Sequence, residues 1–135
     1  MQEVKAFLEH NAHEYEDFGA YSEERCDYPT FAINAAGAIA AGRCDMGIFI
    51  CGTGIGMSIA ANKIPKIRAA VCNDCYSAEM ARAHNNANVL ALGSRVVGQG
   101  LALKIVSEFL SRGFDGGRHE HRVDMINNLD AEGIS

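Results

Sequence analysis

Asp45-Met-Gly-Ile-Phe-Ile-Cys-Gly-Thr-Gly-Ile-Gly56 decides how the rest of the chain is read. An apolar run ends in Cys51 and opens at once into a glycine-rich turn, and Met57-Ser-Ile-Ala-Ala-Asn-Lys63 behind it reads as the start of a helix. A buried strand that feeds directly into a helix is the repeating unit of α/β proteins. The pattern puts the Cys51 thiol at the carboxyl end of the strand, facing backbone N–H groups at a helix N-terminus. Such a setting favours negative charge, so it can lower a thiol pKa and can hold an oxyanion or phosphate. A base or nucleophile beside an anion cradle is the outline of an active site.

The same alternation continues on both sides. Upstream, residues 3–11 show helical spacing in Val4, Phe7 and Leu8, residues 15–18 form a short strand candidate closed by Gly19, and an alanine-rich helix is expected over 27–41 behind Pro29. The central strand spans 46–51, and the helix after Gly54 ends near Pro65. Downstream, strands are expected over 67–72 and 88–93, helices over 76–85 and 99–112, and a final polar helix over 119–130. Strands separated by helices of this length predict a doubly wound, Rossmann-like parallel sheet flanked by helices, with ligands bound beyond the carboxyl ends of the strands. Cys51, Asn73, Asp74 and Gly93 all fall at that crevice.

At 135 residues the chain is read as a single domain over 1–135, long enough for a real core. A formal net charge of −5 speaks against a nucleic-acid binder, which carries a basic stripe. No run reaches the length of a membrane span, and Met1-Gln-Glu-Val-Lys is not a signal peptide, so a cytoplasmic protein is expected. The five cysteines, Cys26, Cys44, Cys51, Cys72 and Cys75, are an odd number, which fits reduced thiols. Cys72-Asn-Asp-Cys75 has CxxC spacing, but neither a second CxxC nor a His pair accompanies it, so a zinc site is hard to assemble. A strand-end thiol plus a loop thiol is the simpler reading.

Gly52-x-Gly54-x-Gly56 with Asp74 about twenty residues on loosely resembles a dinucleotide fingerprint. The third glycine comes one residue early, and the chain is short for a cofactor domain plus a substrate domain. Glycines that merely ease a tight turn would account for the glycines alone, not for the cysteine before them. Two polar constellations point elsewhere. Arg82-Ala-His84-Asn85-Asn86 ends a helix, where a histidine is commonly just a solvated cap. In Gly116-Gly-Arg118-His-Glu-His-Arg122 the two arginines fall four apart, on one face of a helix, as two guanidinium groups gripping a phosphate would. A solvated basic helix start is the competing explanation.

Taken together, ICGTGIGMSIAANK, IRAAVC, YSAEMARAHNNANVLALGSRVVG and GGRHEHRVD, with SEERCDYPTFA upstream, resemble the type-B ribose-5-phosphate isomerases. That family also holds galactose-6-phosphate and allose-6-phosphate isomerases, and the resemblance covers nearly the whole chain. It implies an aldose–ketose isomerase that interconverts ribose 5-phosphate and ribulose 5-phosphate without a cofactor or metal. By the same resemblance Cys51 is the base that moves the proton between C1 and C2, while Thr53 and the N–H groups of Gly52, Gly54, Ile55 and Gly56 stabilise the enediolate. His84 assists ring opening, Asn85 holds a sugar hydroxyl, and Arg118 and Arg122 bind the phosphate with help from Arg95. Family members are dimers or dimers of dimers, which implies that His84, Asn85 and Arg95 are offered by the partner chain.

The chemistry suits those residue types. Removing a weakly acidic C–H proton needs a poised base and fixed dipoles at the developing enediolate oxygen. There are also departures. The family begins with a hydrophobic strand ending in an Asp-His pair, whereas this chain opens inside the following helix, and Asn86 stands where many relatives have Asp. The loss of a normally central strand is expected to leave unpaired backbone and an open core. A start assigned too far downstream is the leading expectation, and a short paralogue that has lost activity is the alternative. Also left open are a non-catalytic relative, a six-carbon substrate and a nucleotide-binding module. Retention of Cys51, Thr53, His84, Arg118 and Arg122 favours the isomerase.

Overall fold

Val89-Leu-Ala-Leu-Gly93 is buried at every position, because it has a strand on each side and helices on both faces. In the computed structural model, which describes residues 2–19 and 28–132, the elements are α1 (Gln2–His10), α2 (Tyr28–Ala40), β1 (Gly47–Cys51), α3 (Ile55–Ala61), β2 (Ala69–Val71), α4 (Cys75–Ala83), β3 (Val89–Gly93), α5 (Gln99–Ser111) and α6 (Arg118–Glu132). The sheet runs β1-β3-β2 and is parallel throughout, with Gly47 opposite Val89, Cys51 opposite Gly93, and Ala69 also opposite Val89. The expected doubly wound α/β architecture is the observed one.

Alternation along β3 divides the core. Leu90 and Leu92 point to one face, where they meet Ile105, Val106 and Phe109 of α5, Ala78 and Ala81 of α4, and Val4 of α1. Val89 and Ala91 point to the other, against Ala32 and Ala36 of α2, Phe49 of β1 and Ala61 of α3. In α5, Ala102, Ile105, Val106 and Phe109 repeat at three- and four-residue spacing, so a single stripe is buried. Asp74 starts α4 by accepting the Ser77 N–H at 2.6 Å, with the Ser77 hydroxyl donating to its other oxygen at 2.8 Å. None of the helices within the described residues is long and apolar enough to cross a membrane.

The two outer edges of the sheet differ. On β2, the Asn62 amide closes a ring with Ala69, accepting its N–H at 2.8 Å and donating to its C=O at 3.0 Å. The β1–β3 ladder engages the backbone of Gly47, Phe49 and Cys51, which leaves Ile48 and Ile50 facing outward. There a cavity of about 660 Å³ separates β1 from residues 13–19, walled by Val4 and Leu8 of α1 and by Phe31, Ala35 and Ile39 of α2. Residues 15–18 are not a strand, contrary to the sequence expectation. Extended backbone becomes a strand only with a ladder partner, and the cavity stands where that partner would be. The β1 edge therefore borders open space among the described residues. The expected strand over 67–72 is shorter as well, because the Arg68 N–H bonds to the Asn88 side chain and Ile67 closes a turn onto Ile64. Cys26 lies outside the described residues.

Candidate active site

At the carboxyl end of the sheet the site is made largely of backbone. Cys51 closes β1 half-buried, and its Sγ accepts the Gly54 N–H at 3.1 Å. The bond aims a fixed backbone dipole at the sulfur. Gly54 has φ +81°, and a Cβ on it would lie 2.9 Å from the Leu92 carbonyl carbon. A Cβ on Gly93 would lie 2.8–2.9 Å from the backbone of Thr53. Both positions need glycine so that the turn can settle onto the end of β3. Further along the same loops, Ser94 N–H donates to Cys51 C=O at 2.8 Å and Arg95 N–H to Gly52 C=O at 3.1 Å. Exposed Thr53 accepts the Ile55 N–H on its Oγ1 at 3.2 Å, which leaves its hydroxyl proton free to donate outward. Ile55 and Gly56 form the first turn of α3.

Arg95 belongs to this end. Its side chain passes 3.6–3.8 Å from where a Gly52 Cβ would be, so it stands over the glycine loop of its own chain. Two backbone bonds between the 94–95 and 51–52 segments hold Arg95 beside this loop.

A second polar cluster forms where α4 ends. His84 caps α4, and its ring stacks on His119 of α6 with centroids 4.0 Å apart and planes 9° from parallel. The Asp115 carboxylate lies 4.0 Å from His84 Nε2. Gly116 and Gly117, at φ +69° and +57°, turn the chain into α6, which starts at Arg118 and presents exposed Arg118 and Arg122 one turn apart. The His119 pKa is held below the ordinary imidazole value, first by desolvation and then by His84, Arg118 and Arg122. Asn85 is exposed on the adjoining loop. His119 and Asp115 carried no assignment from the sequence. The available signal was the histidine inside the Gly-Gly-Arg-His run, but stacking on a residue 35 positions away is not encoded in local spacing.

The two clusters lie at opposite ends of the sheet. β1 delivers Cys51 at its carboxyl end, whereas α4 runs back from the carboxyl end of β2 to the start of β3 and so delivers His84 at the amino end. α5 makes the same return, and the Asp115 N–H donates to Ala83 C=O at 2.9 Å, which seats the 112–118 segment beside His84. A five-residue strand spans roughly 17 Å. One chain therefore brings Cys51, Thr53 and Arg95 together, brings His84, Arg118 and Arg122 together, and holds the two sets apart.

The remaining candidates resolve into structure. Asp74 is engaged in capping α4, so it is not presented as the ribose-binding acid of a dinucleotide fold. Its pKa is lowered by the Ser77 backbone N–H and then by the Ser77 hydroxyl. Cys72 is 1% exposed in the core and its thiol is pushed up to about 11 by burial, with Asp74 adding to the shift. Cys75 instead opens α4, so the CxxC pair straddles the core and a helix start.

Comparison with known proteins identifies the family. A family model described as Ribose/Galactose Isomerase matches residues 1–126. The chain belongs to the ribose/galactose isomerase family. Ribose-5-phosphate isomerase B of Escherichia coli is 51% identical to it over 128 residues, which are 95% of this chain and 86% of that protein. The structure of Clostridium thermocellum ribose-5-phosphate isomerase B superimposes with a TM-score of 0.95 at 52% identity, over 97% of this chain and 88% of the other. A D-erythrulose-4-phosphate isomerase from Pectobacterium atrosepticum is 50% identical over 73% of this chain and 65% of its own length.

Proposed function

We propose that the protein interconverts ribose 5-phosphate and ribulose 5-phosphate through an enediolate, with Cys51 as the base. The observation that carries this reading is the Gly54 N–H on Cys51 Sγ, at the carboxyl end of the sheet of a ribose/galactose isomerase. The Cys51 thiolate takes the C2 proton of the open-chain aldose, and the electron pair forms the C1–C2 double bond as O1 takes the negative charge. The hydroxyl proton on O2 passes to O1, the thiol returns its proton to C1, and the carbonyl is left at C2. With the Gly54 and Ile55 N–H groups engaged by Cys51 Sγ and Thr53 Oγ1, the Thr53 hydroxyl and the N–H groups of Gly52 and Gly56 face the developing oxyanion, where fixed dipoles act most strongly. Arg95 adds positive charge on the same side.

His84, Asn85, Arg118 and Arg122 supply ring opening and phosphate binding. Since they sit at the far end of the sheet, a complete site forms when the amino end of one copy meets the carboxyl end of another. Exposed apolar side chains on α3 (Ile55 and Ile59) and α6 (Met125, Ile126 and Leu129) suit burial between copies of a homodimer or dimer of dimers. The protein works in the cytoplasm on a free phosphorylated sugar, without a resident cofactor.

The test is turnover of ribose 5-phosphate by the purified chain, followed by co-refolding two variants impaired at substrate concentrations below the parent KM, Cys51→Ala and Arg118→Gln/Arg122→Gln, assayed at those concentrations. A mixed dimer has one intact site and one doubly impaired site, so random pairing restores about a quarter of the original activity. No recovery would place each site within one chain. Because the family description includes galactose and one relative is named for erythrulose 4-phosphate, the same assay with allose 6-phosphate, galactose 6-phosphate and erythrulose 4-phosphate ranks substrate length.

A further inference from the structure

Arg82 is 8% exposed, and among the described residues no carboxylate pairs with it. A buried guanidinium without a counter-charge is unfavourable unless its rigid fork of N–H groups finds acceptors. Here every hydrogen-bond acceptor is on one of two loops. Nη1 donates to Ala87 C=O at 2.6 Å and to Asn86 Oδ1 at 3.3 Å, both on the loop after α4, and Nε donates to Arg112 C=O at 3.3 Å, at the end of α5. The guanidinium carbon lies 5.8 Å from the centroid of the Phe109 ring, which closes the pocket from the core side. Burial, and then Arg68, lowers the Arg82 pKa.

Those two loops carry the amino-end cluster. Residue 84 begins the first, and Asp115 and the turn into His119 follow the second. The only other backbone tie between them among the described residues is the Asp115 N–H on Ala83 C=O. The first loop is also strained, since Asn86 has φ +47° and its side chain is one of the groups that Arg82 holds. We propose that Arg82 is a positioning residue: by tying the 86–87 carbonyl and amide groups to the Arg112 carbonyl, it sets the spacing at which His84 meets His119 and Asp115. It touches no substrate. Its effect on turnover rests on the isomerase reading above, whereas its effect on the stacked imidazoles does not.

The experiment uses the full chain with Arg82→Lys, which keeps the charge but cannot span both carbonyls, and with Arg82→Met, which keeps the bulk alone. Imidazole NMR signals of His84 and His119 are followed through a pH titration beside thermal melting. The expected result is loss of the ring-stacking shifts and movement of the His119 midpoint upward in both variants, with KM for ribose 5-phosphate raised at least tenfold and kcat changed much less. A second variant, Asn86→Gly, removes one acceptor from Arg82 while relieving the positive φ, so it is expected to loosen the histidine pair without lowering the melting temperature. It therefore reports even if Arg82 variants fail to fold. Unchanged histidine shifts and midpoints in the folded variants would overturn the proposal, including the case where only the melting temperature falls. If the parent chain shows no turnover, the isomerase reading fails and the imidazole signals still decide the role of Arg82.

Discussion

The two ends of the sheet are built from different materials. At the carboxyl end, Cys51 and the 52–56 turn are held by main-chain bonds and by glycines that let Thr53 lie against Gly93 and Gly54 against Leu92. At the amino end, His84, His119, Arg118 and Arg122 project from helix ends and are ordered by stacking and by a clamp beneath them. Proton transfer at carbon tolerates little misplacement, so it belongs with rigid backbone, whereas gripping a phosphate needs charge and reach, which long side chains supply. On the proposed reading, the difference separates chemistry from binding along the strand direction.

Breaking the carboxyl end at its base has the largest expected effect. Cys51→Ala lowers kcat by roughly 10²- to 10⁴-fold, the range for losing a positioned base, while the thermal melt stays within a few degrees. Activity close to that of the parent chain would remove Cys51 from the mechanism. Next is Gly93→Ala, whose methyl group meets the Thr53 backbone at 2.8–2.9 Å and has to push the turn away. About a hundredfold loss in kcat is expected from that displacement, with roughly 1–3 kcal/mol of stability lost through overpacking. A crystal structure of the variant with the turn unmoved would contradict it.

Breaking the amino end shows a different signature. Arg118→Gln with Arg122→Gln raises KM for phosphorylated sugars by roughly 10- to 100-fold and changes kcat less, since the charge-assisted bonds lost are made to the non-reacting end of the substrate. Free ribose discriminates: if its weak binding falls equally, the arginines are not reading phosphate.

The smallest effect lies in the His119 titration. Its folded pKa is lowered, so the neutral ring is favoured by folding. That contribution to stability is present above the ordinary value of 6.5 and is lost as pH falls through the lower folded value. The NMR midpoint of His119 is expected below 6.5 and should rise when Arg118 and Arg122 are replaced. A midpoint above 6.5 would mean that the neighbouring Asp115, not the cationic groups, dominates the ring.

Much of this was legible in the chain. The strand ending at Cys51, the turn of residues 52–56 and the buried strand at 89–93 could be read because an apolar run and its glycines are local in sequence. The helices were readable from three- and four-residue spacing, whereas the strand expected over 67–72 is cut short where the Asn88 side chain takes the Arg68 N–H. The strand expected at 15–18 failed because strandedness belongs to a pair of segments. The place of Arg95 over Gly52 was not legible, because it depends on how the 94–97 loop folds back. Arg82 gave no signal, since an arginine on a helix reads as solvated until the core closes around it.

By itself the sequence determined a parallel α/β sheet and a thiol delivered into a glycine turn, because both follow from hydrophobic periodicity and from backbone geometry that only glycine tolerates. Tertiary structure alone decided that His84 stacks on His119, that Asp74 caps a helix instead of facing a ligand, that Asn62 closes one sheet edge while the other borders a cavity, and that Cys51 and the Arg118–Arg122 pair lie at opposite ends of the strands. Those outcomes depend on which distant segments share space, and a parallel strand connected through an antiparallel-running helix sends its two neighbours in sequence to opposite ends of the molecule.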